Sequence, residues 1–174
     1  YYTPLLKNFN KYNVYDTLDF IYENKEKIIR RMNTSLVKKW HRNPEIIFYD
    51  VTNFFFETSD PDEDIFDEDG NIIETGIRKM GVSKENRKQP IVQMGLFMDD
   101  QGLPISIEAF PGNTLDANTF KPAISKSVDG LDYARFIMIG DRGMCNYQNI
   151  FHLLDQNHGY IIAKSLLRST KSEQ

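Results

Sequence analysis

The sequence has a single cysteine, a single tryptophan and three histidines in 174 residues. Cys145, standing alone, excludes a disulfide framework and a cysteine-based zinc site. It reads as a small packed side chain rather than a nucleophile, because no histidine stands near it in a known arrangement. His41, His152 and His158 lack the spacing of metal ligands and read as surface or helix-end residues. Apolar runs such as 54–56 or 136–139 fall far short of the roughly 18 residues that a membrane span needs. No apolar N-terminal segment reads as a signal peptide, so the expected location is cytoplasmic. Positive charge is not in excess either. Lys and Arg number 21 against 25 Asp and Glu, a net charge of −4, which argues against a uniformly basic nucleic-acid binder but leaves room for basic patches.

What is present is enough for a core. Apolar residues make up 40% and aromatics 13% of the chain, which excludes disorder throughout, and the length suits one ordinary domain. The chain begins at Tyr1 and is expected to be a piece of a longer protein. Residues 1–44 read as an N-terminal helical segment. Apolar positions recur from Leu18 to Trp40 at helical spacing after a candidate cap at Asp16. Lys25, Lys27, Arg30, Arg31, Lys38, Lys39 and Arg42 then form a solvated face or, alternatively, a DNA-contacting one.

Residues 45–174 read differently. The run 45–52 is apolar on both faces, as in a central strand covered on both sides. Residues 57–69 carry eight carboxylates and no base; Ile65 and Asn71 stand where a calcium loop needs Gly and Glu, so a flexible acidic loop is expected. Residues 91–98 and 103–110 flank the turn 99–102 as a hairpin. A helix from Leu115 to about Val128, with Pro122 disturbing its first turn, leads to a strand over 135–140. A helix capped by Asn146 and stopped by Gly159 leads to a last strand over 160–164. The order predicts an α/β fold, a mixed five-stranded sheet with helices on both faces.

Two carboxylates stand out. Asp50 and Asp141 are each the first charge at the C-terminal end of an apolar strand. If those strands are parallel neighbours, both emerge at the edge where open α/β sheets bind ligands. A divalent cation would relieve their repulsion, and hard oxygen donors favour Mg²⁺ or Mn²⁺. The alternative is that each aspartate simply caps a turn.

The run 48–57 (Phe-Tyr-Asp-Val-Thr-Asn-Phe-Phe-Phe-Glu) resembles the first catalytic motif of DDE transposases of bacterial insertion sequences, in the insertion-sequence-four-like group. Blocks 81–87, 90–98, 110–114 and 140–143 agree in order and distance, as does 159–162. The resemblance spans about residues 15–165. It implies a ribonuclease H-like core, preceded by the long N-terminal helix, in which Asp50 and Asp141 are catalytic metal ligands for Mg²⁺, with Mn²⁺ as substitute. The third acid of such a triad, a Glu, has no matching residue and is expected beyond Gln174, so the piece alone is expected to be nearly inactive. Asn86 stands where the group usually has His. DNA would be the partner, at transposon ends and target, with a homodimer in the full-length protein. Polyanionic DNA requires cations around an acidic site, for which Lys84, Arg87, Arg142 and Lys164 are the candidates. Phe54, Phe55 and Phe56 read as core packing, with base stacking as the alternative. The rival reading is a non-catalytic remnant or a domesticated DNA- or protein-binding module.

Overall fold

The computed structural model describes residues 10–42, 44–82, 88–127, 133, 135–144 and 146–163. They fall into two compact units, Tyr1–Arg42 and Asn43–Gln174. Among the described residues, no helix is long and apolar enough to cross a membrane.

The first unit holds α1 (Lys11–Glu23) and α2 (Lys25–Trp40), where the sequence pattern predicts one helix. The break is a single residue. The Asn24 side chain and backbone N–H both donate to the Phe20 carbonyl, and Asn24 sits at φ −108°, ψ 9°, just off the helix. Asparagine competes in this way for backbone partners, and a one-residue interruption leaves apolar spacing unchanged. The cap is Asn10 rather than Asp16: its side chain accepts from the Tyr12 and Asn13 N–H groups, while the Asn13 side chain accepts from the Asn10 N–H. This reciprocal arrangement satisfies donors that would otherwise be orphaned. Lys27, Arg30, Arg31, Lys38 and Lys39 are exposed, as a solvated face requires. Arg42 departs from that face. It is buried, and its Nη1 donates to Asn33 Oδ1 at 2.6 Å.

In the second unit, β1 (Ile46–Phe55), β4 (Ile91–Asp99), β5 (Pro104–Pro111), β6 (Ile137–Gly140) and β7 (Gly159–Ile162) form one sheet. Its order is β5-β4-β1-β6-β7. The β1/β4 and β4/β5 pairs are antiparallel, and the β1/β6 and β6/β7 pairs parallel. This is the mixed five-stranded sheet that the element order implies. The hairpin turn is set by Asp99, whose Oδ1 accepts from the N–H groups of Gln101 and Leu103, with Gly102 at φ +77°. Only a residue tolerant of positive φ suits that position.

One face of the sheet carries Ile47, Tyr49 and Val51 of β1 beside Phe97 of β4 and Met138 of β6. Two helices supply the other half of this core, α3 (Asp116–Ser127) through Phe120, Ala123 and Ile124, and α4 (Tyr147–Asp155) through Leu153. Pro122 lies inside α3 rather than limiting its first turn; the fully buried residues around it hold the helix despite the lost donor. The opposite face holds Phe48, Ile107, Ile137 and Ile161, which are 37–59% exposed. Helical cover of the sheet is thus seen on one face among the described residues, where the pattern predicts it on both. The chain leaves α4 through Asn157 at φ +61°; Gly159, the expected stop, pairs instead with Ile137 in the sheet.

The acidic stretch is ordered rather than a flexible loop. It folds into a small hairpin of β2 (Ile65–Phe66) and β3 (Ile72–Glu74). Asp62 is held by Arg78, through both the guanidinium and the backbone N–H, and Asp64 by Lys79 and the Gly76 N–H. The bases that neutralise these acids lie just past the acidic run, where composition by window does not register them.

Two outcomes are expected from this packing. A Cβ on Gly95 would fall on the Tyr49 hydroxyl and ring edge, so Gly95→Ala should cost about 1–3 kcal/mol through forced repacking, read as a lowered midpoint in urea. The Asp62 and Asp64 carboxyls are held below their ordinary value of 3.8, Asp62 chiefly by the Arg78 side-chain bond and Asp64 by that of Lys79. A depressed carboxyl stabilises the fold above its unfolded value and loses that effect as pH falls below it. Amide exchange in 62–79 should therefore accelerate below about pH 4 before the sheet opens, and the Asp62→Asn variant should show faster exchange already at neutral pH.

Candidate functional site

In the parallel pair of β1 and β6, Tyr49 lies opposite Gly140. Asp50 and Asp141 are the next residues along each chain. Both carboxylates are exposed, but only Asp141 follows a strand end: Asp50, expected at the end of its strand, is paired with Leu96 in the middle of β1, which runs on to Phe55. Alternation places Asp50 on the face of Phe48, away from the Tyr49 core. Asp141 enters a 3₁₀ turn, Arg142–Met144. Its Oδ1 accepts from the Gly143 N–H at 2.8 Å and its carbonyl from the Met144 N–H at 3.2 Å, which fixes the carboxylate and leaves Oδ2 clear of that bond. Exposed carboxylates are the hard donors that Mg²⁺ takes, one or two at a time, with water or phosphate oxygens as its other ligands.

A third carboxylate stands near this turn. A Cβ on Gly143 would lie 3.1 Å from Asp141 Oδ1 and 3.6 Å from Asp116 Oδ2. Residue 143 is therefore bare where two acidic side chains approach. Sequence reasoning passed over Asp116 because an acid in the first turn of a helix is ordinary. Among the described residues, no three His, Cys, Asp or Glu side chains are grouped to hold a metal.

The turn is anchored from behind. Asn149 is buried, and its Nδ2 donates both to the Ala117 carbonyl of α3, at 2.9 Å, and to the Met144 carbonyl, at 3.1 Å. Its own N–H donates to the capping Asn146 side chain. One amide thus ties α3, α4 and the segment after Asp141 together.

Of the candidate cations, Arg142 is exposed on the turn beside Asp141. Lys84, Arg87 and Lys164 lie outside the described residues, as do Asn86 and Cys145. Phe54, Phe55 and Phe56 do not enter the core; they are 49%, 37% and 40% exposed, with the Arg78 guanidinium 5.7 Å from the Phe56 ring centre. Phe54 shares the face of Phe48, which no described helix covers, and Phe56 lies just past the end of β1.

Gly81, which opens the block 81–87, meets the block 110–114 at backbone distance. A Cβ on Gly81 would fall on the Gly112 carbonyl, and one on Gly112 would fall on that of Ile91. Between these loops and the sheet lies a cavity of about 440 Å³, lined in part by Asn53, Val82, Gln93, Leu115, Asp116 and Gly143.

No protein-family model matches the chain, and no curated protein matches it significantly. Solved structures similar in fold include the Mos1 transposase in a paired-end complex with the left transposon end, at TM-score 0.39 and 15% identity over 92% of this chain and 44% of that one. A Mos1 mariner paired-end complex with Mn gives 0.40 and 17%, over 80% and 42%. The piggyBac transposase synaptic complex with hairpin DNA gives 0.46 and 10%, over 94% and 32%. The chain thus spans less than half the length of each, and at these identities the likeness is one of fold alone.

The Asn149 clamp yields a direct test. Asn149→Ala removes both hydrogen bonds of a buried amide, to the Ala117 and Met144 carbonyls, which should cost about 1–3 kcal/mol in urea unfolding. Asn149→Asp, nearly isosteric but acceptor-only when ionised, should cost at least as much at neutral pH.

Proposed function

We propose that this chain carries part of the catalytic core of a DDE transposase of the bacterial insertion-sequence type, which cuts DNA at transposon ends and joins it to a target. What supports the reading is the parallel pairing of β1 with β6, in which Asp50 and Asp141 each follow the Tyr49–Gly140 pair. Ligands of open α/β sheets bind beyond the C-terminal ends of parallel strands, where β6 gives way to Asp141. The run 48–57 and the blocks at 81–87, 110–114 and 140–143 support the same assignment by their resemblance to that group.

The chemistry follows from the donors. Cleavage of a phosphodiester by water and attack by the freed 3′-hydroxyl are both in-line displacements at phosphorus. Mg²⁺ held by Asp50 and Asp141 would supply a Lewis acid and a polarised water. Asp141 is oriented for this by the Gly143 N–H. Arg142, exposed beside it, would meet the DNA phosphates, and Lys84, Arg87 and Lys164 would extend that rim. Mn²⁺ would substitute for Mg²⁺ at the same oxygens.

Thermal melting under Mn²⁺ titration tests the assignment. A cation that binds only the folded chain stabilises it by about 2.7 kcal/mol at a concentration 100 times its Kd. The wild type should show a rise in Tm that is lost in both Asp50→Asn and Asp141→Asn. A response retained in either variant, or absent in the wild type, removes the two-carboxylate site.

A further inference from the structure

The small hairpin of β2 and β3 buries none of its strand side chains. Ile65, Phe66, Ile72 and Ile73 are 53%, 56%, 55% and 66% exposed, on a ribbon of only two strands. A two-stranded hairpin is marginal in water unless another layer covers its apolar side chains, and apolar exposure with a polar rim marks an interaction surface. The rim here has one sign. Residues 57–74 carry nine carboxylates and no base, and the two bases that follow, Arg78 and Lys79, are taken up by Asp62 and Asp64. Glu63, Glu68, Asp69 and Glu74 are exposed. The tip is held in shape by Asp67, whose Oδ1 accepts from the Asp69 and Asn71 N–H groups, so an ordered turn presents Glu68 and Asp69.

The complementary surface is on α2. That helix carries six Lys and Arg against a single acid, Glu26. Positions 28, 31, 32, 35 and 39 recur at helical spacing and share one side of it. Ile28 there is half-buried, Met32 is 59% exposed, and Arg31 and Lys39 are exposed beside them. An apolar strip edged with bases matches an apolar ribbon edged with acids.

We propose that the acidic hairpin of one copy of this chain docks on the basic side of α2 of a second copy. The exchange is made twice about a twofold axis, each copy giving its hairpin and receiving its partner's. A closed dimer requires such self-complementarity, residue i meeting j while j meets i. Charge selects the pairing, because opposite-signed rims steer and orient an encounter while like-signed rims repel. Hairpin therefore does not pair with hairpin, nor α2 with α2. The contact goes beyond the metal chemistry proposed above and does not depend on it.

The test is the mass of the full chain, freed of nucleic acid, by sedimentation equilibrium over a concentration series. The wild type should self-associate, and more weakly as salt rises. Glu68→Lys with Asp69→Lys turns the hairpin tip basic, and Arg31→Glu with Lys39→Glu turns the helix side acidic. Each double variant alone should associate at least about tenfold more weakly, since like charges then meet. Mixed in equal amounts, the two should associate as tightly as the wild type, because each reversed surface finds its opposite on the other chain. All four positions are exposed, so circular dichroism should be unchanged. If either double variant fails to fold, Ile73→Ser, at a side chain 66% exposed, should weaken association with no loss of Tm. A wild type that stays monomeric at every concentration overturns the contact, as does association that the variants leave unchanged or that mixing fails to restore. A mass that rises only when DNA is added would give the basic side of α2 to nucleic acid and overturn the contact as well.

Discussion

The parallel pairing of β1 with β6 is the contact on which the rest of the second unit depends. Antiparallel neighbours need only a turn, and β4 and β5 are joined by one. A parallel neighbour needs the chain to cross back over the sheet, and here α3 lies in that crossover. The same connection therefore covers the core face and returns the chain in register with β1. A shift by one residue would move Asp141 away from Asp50 and turn Met138 out of the core, so the burial that fixes register also fixes the spacing of the two acids.

Tyr49 joins the core to the rim of the site. Its hydroxyl donates to Thr119 Oγ1 at 2.8 Å, and the Thr119 hydroxyl donates to the Asp116 carbonyl at 2.7 Å. The ring packs against Phe97 and edge-on to Phe120, and Gly95 leaves room for it. Burial, with lesser contributions from nearby Asp116, Glu108 and Asp50, pushes the phenol up to about 12. It remains a neutral donor throughout the physiological range. The start of α3, and with it Asp116, is thus held by a hydrogen-bonded chain that begins one residue before Asp50.

The sheet was readable because its strands are short apolar runs ended by charge or glycine, and their order leaves few pairings. Asp50 and Asp141 could be picked out for the same reason, each being the first charge after such a run. Other features rest on pairings that local pattern does not carry. The acids of 57–69 look solvated until Arg78 and Lys79 fold back on them. Phe54–Phe56 look like core because aromatic residues after a buried strand usually are; here all three stay exposed. Asn24, Asn53, Gln93 and Asn149 are neutral amides that interrupt no periodicity. One breaks a helix, one clamps a turn and two stand unsatisfied. Only three-dimensional neighbours distinguish these roles.

Two buried acceptors, Asn53 Oδ1 and Gln93 Oε1, have no hydrogen-bond partner among the described residues. Asn53 sits on the same strand face as Ile47, Tyr49 and Val51, and an aliphatic residue there and at position 93 would continue that face. Two unpartnered buried acceptors, at about 1–3 kcal/mol each, are a substantial share of the 5–15 kcal/mol stability typical of a domain. Such departures from local consistency concentrate where a protein meets its ligand. Here the departure lies on β1, three residues beyond Asp50, and beside a cavity whose wall includes the glycine that borders Asp141. Asp50 and Asn53 stand on opposite faces of that strand, so the sheet itself separates the exposed acid from the unsatisfied amide.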